Sequence, residues 1–389
     1  MKPRILIYST AYYPLVGGAE VAVKEITDRL GNQYDFDLVT ARIDRSHPKI
    51  EQFGAVRVIR LGWGISFDKL WLAFRGGNFG LRLHKEKKYS LVWAIMASYG
   101  GFAASDFKAK QKDVPFLLTL QEGDDLKEVE KKVSLVKNLW LNIFRRANYI
   151  QCISNYLADW AKRMGAGVEI GVVPNGVDLR QVESLKVYKV KSKKQEGEKV
   201  IITTSRLVKK NGIDDLIKSL SYLPKEVKLW ILGVGPEEKA LKKLTVGLQV
   251  ASRVAWLGFV DNDHLFPYLK EAEAFVRPSL SEGLGNSFLE AMAVGLPTVG
   301  TPVGGIVDFL KSGETGWLAN VRDPASIAGV IKFILDPVNK IEVEQIAERG
   351  KELIFTRYDW NIIAKEMEKI FEKLVSDKRS NGEENQQTE

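Results

Sequence analysis

The sequence predicts an α/β fold built from two doubly wound parallel-sheet domains that face each other across a cleft. Three observations carry this expectation. Short apolar runs alternate with helix-length segments, the pattern of βαβ units with right-handed crossovers. The series stops near a lysine-rich segment, residues 186–199, and then starts again. At 389 residues the chain exceeds what one ordinary core encloses, so two domains of roughly 150 to 200 residues are expected.

The first series opens with residues 4–9, an apolar run bounded by loop residues that reads as a central parallel strand. A loop over 13–20 follows, containing Gly17 and Gly18, and then Val21, Val23, Ile26 and Leu30 recur at near-helical spacing. Further strands are predicted at 36–40, 56–60, 91–95, 116–120 and 149–153. Segment 173–178 and the lysine-rich 186–199 form the interdomain hinge. The second series places strands at 200–204, 228–232, 254–257, 274–277, 298–300 and 316–318. The expected domains are therefore 1–178 and 179–357, with a helix around 358–375 returning to complete the first. The polar tail 378–389 has no apolar anchors and is expected to be disordered.

With 45% hydrophobic and 27% charged residues, the composition is that of an ordered globular protein. The single cysteine, Cys152, excludes an internal disulfide framework and points to a reducing compartment. It follows Tyr149 and Ile150 in a strand pattern and reads as an inert buried thiol. The three histidines, His47, His84 and His264, share no metal-ligand spacing, so neither a zinc site nor a Ser-His-Asp triad is expected. There is no apolar signal core, and the most apolar stretch, 91–104, falls short of the roughly 20 residues that span a bilayer. A cytoplasmic location follows as an expectation. The net charge of +8 favours anionic partners, which include nucleotide diphosphates, nucleic acids and anionic lipid surfaces.

The run PSLSEGLGNSFLEAMAVG holds two carboxylates, Glu282 and Glu290, separated by seven residues. Taken alone, such a pair is a solvated loop residue and a surface helix residue. The context argues otherwise. Residues 274–279 read as a buried strand ending at Pro278, so the turn Glu282-Gly283-Leu284-Gly285-Asn286 lies at a strand's carboxyl end, where open α/β sheets bind ligands. A helix pattern begins near Ser287, and its unsatisfied N–H groups and dipole favour a phosphate. Carboxylates on either side of a pyrophosphate suit sugar hydroxyls and ribose, because they only accept hydrogen bonds and a polyol donates many.

These motifs, in order, resemble the retaining glycosyltransferases of the GT-B fold, family four (glycosyl transferases group 1). The resemblance rests on 17–20, 173–178, 205–208, 232–236, 257–260 and 278–305. It implies Rossmann-like domains and retaining transfer of a hexose from a UDP- or GDP-linked sugar, without a metal or other cofactor. No Asp-x-Asp metal signature appears in a suitable loop. Glu282, Arg206 and Lys210 are the implied catalytic groups. Gly17, Gly18, Gln121, Phe259, Val260, Gly283, Leu284, Gly285, Asn286 and Glu290 are the implied donor-binding ones. Gly17 and Gly18 let backbone approach the donor closely, Arg206 grips the pyrophosphate, and Phe259 and Val260 flank the base.

Two departures stand out. Family members commonly carry a lysine before the glycine that corresponds to Gly212; here Asn211 takes that place, so either Lys210 supplies the charge from a shifted register, the preferred reading, or Arg206 and backbone alone stabilise the leaving phosphate. Where the family often has Thr-x-His, this chain has Thr119-Leu120-Gln121, and a glutamine bonds a hydroxyl but does not titrate near neutral pH. Glu122, Asp124 and Asp125, next along, either orient an acceptor hydroxyl or form a solvated loop.

Residues 62–88 interleave Trp63, Phe67, Trp71, Phe74 and Phe79 with Lys69, Arg75, Arg82, Lys85, Lys87 and Lys88. That pattern suits an anionic membrane interface, or else an ordinary core face. The expected acceptor is lipid-linked or an envelope glycan, used at the inner face of the membrane. Rival readings are an epimerase, poor here in suitable histidines, and a catalytically silent sugar-nucleotide-binding protein. A dinucleotide oxidoreductase lacks its G-x-G-x-x-G after the first strand, and a nucleic-acid binder lacks any recognised module.

Overall fold

The computed structural model describes residues 2–183 and 194–386, so the lysine-rich part of the expected hinge up to residue 193 lies outside the described residues. The chain divides into two compact units, Met1–Asn175 with Trp360–Glu389, and Gly176–Asp359.

The first unit runs β1 (Arg4–Tyr8), α1 (Gly18–Leu30), β2 (Asp35–Ala41), β3 (Ile50–Phe53), β4 (Val56–Leu61), α2 (Asp68–Lys87), β5 (Leu91–Ile95), α3 (Tyr99–Lys110), β6 (Phe116–Leu120), α4 (Leu126–Lys132), α5 (Lys137–Arg146), β7 (Tyr149–Cys152), α6 (Asn155–Arg163) and β8 (Glu169–Val172). Its eight-stranded sheet has the order β3-β4-β2-β1-β5-β6-β7-β8 and is parallel except for the β3–β4 pair. β1 sits centrally between β2 and β5, buried along its apolar run as a doubly covered strand must be. β3 and β8 were not expected from the sequence. Both are edge strands with exposed positions, so neither carries a continuous apolar run.

The second unit holds α7 (Leu179–Glu183), β9 (Lys199–Thr204), α8 (Ile213–Ser219), β10 (Val227–Leu232), α9 (Glu238–Gly247), β11 (Val254–Gly258), α10 (Asn262–Glu271), β12 (Ala274–Val276), α11 (Asn286–Ala293), β13 (Thr298–Gly300), β14 (Trp317–Leu318), α12 (Pro324–Leu335) and α13 (Lys340–Arg357). Its six strands are all parallel, in the order β11-β10-β9-β12-β13-β14.

The last helix, α14 (Trp360–Gln386), returns to the first unit. Trp360, Ile363, Met367 and Phe371 recur at helical spacing and enter its core, where the Phe371 ring meets Trp93 at 5.2 Å and Tyr34 at 5.6 Å. α14 also corrects the expectation of a disordered tail from 378, since the helix continues to Gln386. The segment holds Asn381, Gly382 and Asn385, which are poor helix formers, so the extension follows from a helix already nucleated by packing rather than from propensity. Residues 387–389 lie outside the described residues.

Candidate functional site

In the second unit the chain passes from β9 outward to β10 and β11, then returns to the other side of β9 with β12, β13 and β14. The loops after β9 and β12 therefore diverge at the point where strand order reverses, the crevice in which open α/β sheets take ligands. The first loop carries Arg206 and Lys210; the second carries Glu282 and the glycine turn.

The β12 loop leads into α11, which starts at Asn286 with Gly285 as its N-cap at φ 99°. Glu290 falls one turn inside this helix. Gly283, Leu284 and Gly285 are buried, Asn286 is half-buried, and their backbone lines the start of the helix. Three loops lock together here. Leu280 N–H donates to the Lys210 carbonyl at 2.6 Å, and Asn211, itself buried, donates from Nδ2 to the Arg206 carbonyl at 2.6 Å. Asn211 thus braces the loop, in the position before Gly212. From beyond β13, Gly305 N–H donates to the Glu282 carbonyl at 3.2 Å. Its neighbour Gly304, at φ 55°, leaves no room for a side chain, since a Cβ would sit 1.8 Å from that oxygen.

The central side chain is one the sequence reading passed over. Arg277, 6% exposed at the end of β12, donates from Nη2 to Glu282 Oε2 at 2.6 Å, from Nη1 to Ser287 Oγ at 2.5 Å and from Nε to Ser279 Oγ at 3.2 Å. Its guanidinium lies 4.5 Å from the centre of the Phe288 ring. Arg277 therefore ties the strand end, the Glu282 loop and the first turn of α11 into one body. The available signal was a charged residue closing the apolar run Ala274–Val276, five residues before Glu282. Glu282 itself is held in a fixed pose, with Oε1 also near Gly283 N–H at 3.2 Å. Burial pushes the Glu290 carboxyl up to about 7, with the nearby Arg277 charge opposing.

The remaining second-unit candidates are more open to solvent. Arg206 is exposed and Lys210 half-buried. Phe259, 70% exposed, and the half-buried Val260 follow β11, two strands from β9 on the same sheet edge.

Gly17, Gly18 and Gln121 belong to the first unit. Its own reversal of strand order lies between β1 and β5, and the loop after β1 carries the exposed Gly17 and Gly18. Gly17 caps α1 and its N–H donates to Glu20 Oε2 at 2.8 Å. Gln121, half-buried after β6, accepts from Asn175 Nδ2 at 3.2 Å. The three acids beyond it divide. Asp125 caps α4 through Lys127 N–H, Asp124 is exposed, and Glu122 is 4% exposed rather than part of a solvated loop. Among the described residues no group of three or more His, Cys, Asp or Glu gathers as a metal site.

A sequence profile described as Glycosyltransferase Family 4 matches residues 16–181, and one described as Glycosyl transferases group 1 matches residues 186–353. Together they span most of the chain, and the second contains the whole switch-point site. The chain belongs to the family 4, group 1 glycosyltransferases.

Several relatives show how far the likeness extends. This glycosyltransferase is 32% identical over 218 residues to the lipopolysaccharide core biosynthesis glycosyltransferase LpsE of Rhizobium meliloti, covering 56% of this chain and 62% of that protein. Sucrose-phosphate synthase from Thermosynechococcus elongatus superposes with a TM-score of 0.82 at 19% identity, over 97% of this chain and 100% of that one. Anabaena HepE, solved in complex with UDP and glucose, gives 0.75 at 18% identity, over 95% and 100%. The two parallel-sheet units are those of the GT-B fold. Among the described residues no helix of this glycosyltransferase is long and apolar enough to cross a membrane.

Proposed function

We propose that this glycosyltransferase moves a hexose from a UDP- or GDP-linked sugar to a lipid-linked or cell-envelope glycan acceptor, with retention at the anomeric carbon. The observation that carries the reading is the fixed pair Arg277–Glu282 at the start of α11, beside the loop that bears Arg206 and Lys210. In this scheme the diphosphate lies against the backbone amides of Gly283, Leu284, Gly285 and Asn286. Negative charge grows on it as the bond to the sugar breaks, and Arg206 and Lys210 stabilise that charge. Preorganised donors of this kind are worth about 3 kcal/mol each. These cations do the work a divalent ion would otherwise do, so transfer proceeds without metal or cofactor. Glu282 grips sugar hydroxyls, Glu290 the ribose, and Phe259 and Val260 flank the base. Gly17, Gly18 and Gln121 are the donor-binding candidates of the first unit. HepE, solved with UDP and glucose, and LpsE, a lipopolysaccharide core enzyme by name, support donor and acceptor classes of this kind.

The acceptor is met at an anionic membrane surface on the cytoplasmic side. Support comes from α2 and the loop before it. The buried positions of this helix include Leu72, Gly76, Gly77 and Gly80, whereas Trp63, Phe67 and Phe74 are 59%, 69% and 70% exposed. Phe74 is therefore not part of a core face. Arg75 lies 5.2 Å over the Trp71 ring and Arg82 lies 5.4 Å over Phe79, and both line an open pocket of about 330 Å³. Exposed aromatics with cations beside them suit the boundary between headgroups and acyl chains.

Thermal shifts against UDP-, GDP- and ADP-sugars, followed by turnover of the best binder, test the proposal. Glu282→Ala and Arg206→Ala are each expected to abolish most turnover. Near-normal rates in either remove that residue from the scheme. Binding without transfer or hydrolysis would favour a silent binding protein.

A further inference from the structure

Glu122 follows Gln121 at the carboxyl end of β6 and is used by no step above. Its Oε1 accepts from Ala97 N–H at 2.7 Å, while its Oε2 is buried without a hydrogen-bond partner. The Ala97 carbonyl accepts from Trp140 Nε1 at 2.7 Å, and Trp140, on α5, is fully buried. Ala97 is thus held on its N–H by one side chain and on its C=O by another. It lies in the connection from β5 to α3, directly after Met96, whose φ of 68° is a conformation a non-glycine residue adopts only when its surroundings impose it. The next residue, Ser98, places its Oγ 2.9 Å from Thr10 Oγ1, and Thr10 also meets Gly100 N–H at 3.4 Å. Thr10 stands in the loop after β1 that continues to Gly17 and Gly18. The connections after β1 and β5 flank the reversal of strand order in this sheet, where open α/β sheets bind ligands.

We infer that Glu122 is a positioning residue: through Ala97 it fixes the β5–α3 connection against the loop after β1, and so sets the shape of the crevice on the sugar side of the first unit. The catalytic consequence rests on the function proposed above; the clamp itself does not.

The arrangement matches the neutral acid. An ionised Glu122 would hold a buried negative oxygen with no donor, which is costly. Burial is the main reason the carboxyl is pushed up to about 7. Asp124 on its own turn also disfavours the charge, the N–H groups of Ala97, Glu122 and Gln121 favour it, burial keeps the Cys152 thiol on β7 protonated, and Trp140 from α5 does not titrate.

The test uses full-length protein labelled with ¹⁵N at tryptophan, with the Trp140 indole signal assigned through Trp140→Phe. In the wild type this signal is expected to shift with pH with a midpoint near 7, and in Glu122→Gln to stay constant between about pH 6 and 8.5. In UDP-glucose turnover, the wild-type KM is expected to rise across the same range and that of Glu122→Gln to remain flat. Glu122→Ala, which strips Ala97 N–H of its acceptor, should raise KM at least about tenfold at every pH. A wild-type Trp140 signal that does not titrate, or a titration that persists in Glu122→Gln, overturns the inference. A titrating signal in a protein that turns over no sugar nucleotide supports the clamp and counts against the proposed transferase reaction.

Discussion

Breaking the Arg277–Glu282 pair should be among the most damaging single changes in the second unit. The two side chains are only 7% and 14% exposed and their charged atoms are 2.6 Å apart. Removing one member of such a buried pair leaves the other charge without compensation, which costs about 3–5 kcal/mol. Arg277→Met keeps most of the apolar volume, so nearly all of that loss is electrostatic and hydrogen bonding to Ser279 and Ser287. At about 1.4 kcal/mol per tenfold, amide hydrogen exchange in peptides covering α11 should lose about two to three and a half orders of magnitude of protection. Exchange measured on peptides isolates this helix, which a global melt of a two-unit chain does not. The charge-removing partner Glu282→Gln and the double variant complete a cycle. Because both residues act as one unit, the double variant should lose less than the sum of the singles by about 2 kcal/mol. Turnover should fall similarly in both singles and little further in the double. Protection within tenfold of wild type in Arg277→Met, or additive losses, would refute the claim that Arg277 holds Glu282 in place.

Other consequences follow from the same site and surface. Glu290 is pushed up from 4.5 to about 7, so the folded state holds its proton more tightly than the unfolded chain. Its contribution to stability is full below about pH 4.5 and is lost as pH rises through about 7. Denaturant unfolding of wild type and Glu290→Gln should accordingly diverge in favour of the variant across that window, and a constant difference would show that Glu290 does not titrate there. Gly304→Ala forces a Cβ to within 1.8 Å of the Glu282 carbonyl at a positive φ, so UDP-sugar binding by calorimetry should weaken at least about tenfold, whereas an unchanged Kd would mean the loop accommodates it. Phe67→Ser with Phe74→Ser should reduce co-sedimentation with anionic liposomes while leaving soluble UDP-sugar binding intact; equal sedimentation of wild type and variant, or no wild-type binding at low salt, removes the membrane surface.

Much of the fold is legible in the residue order. The apolar runs at β1, β5 and β6 are buried on both faces, so each announces itself without its neighbours, and the edge strands β3 and β8, wetted on one side, do not. The Gly-rich turn before α11 was likewise readable, because a strand end, positive-φ glycine and helix onset fall within one short segment.

The sequence by itself determined the two α/β series, the family, and the strand, turn and helix onset around Glu282. Only the tertiary structure decided which charges are joined. Arg277 becomes the anchor of Glu282 because β12 and α11 fold back on each other, and Asn211 becomes a brace because its loop is pressed against the β12 loop. Glu122 sits among three acids that look alike in one dimension. Strand pairing carries it to Ala97, 25 residues earlier, and buries it, while its neighbours stay in solvent or cap a helix. Desolvation and partner choice depend on what surrounds a side chain in three dimensions, and periodicity along the chain does not encode them.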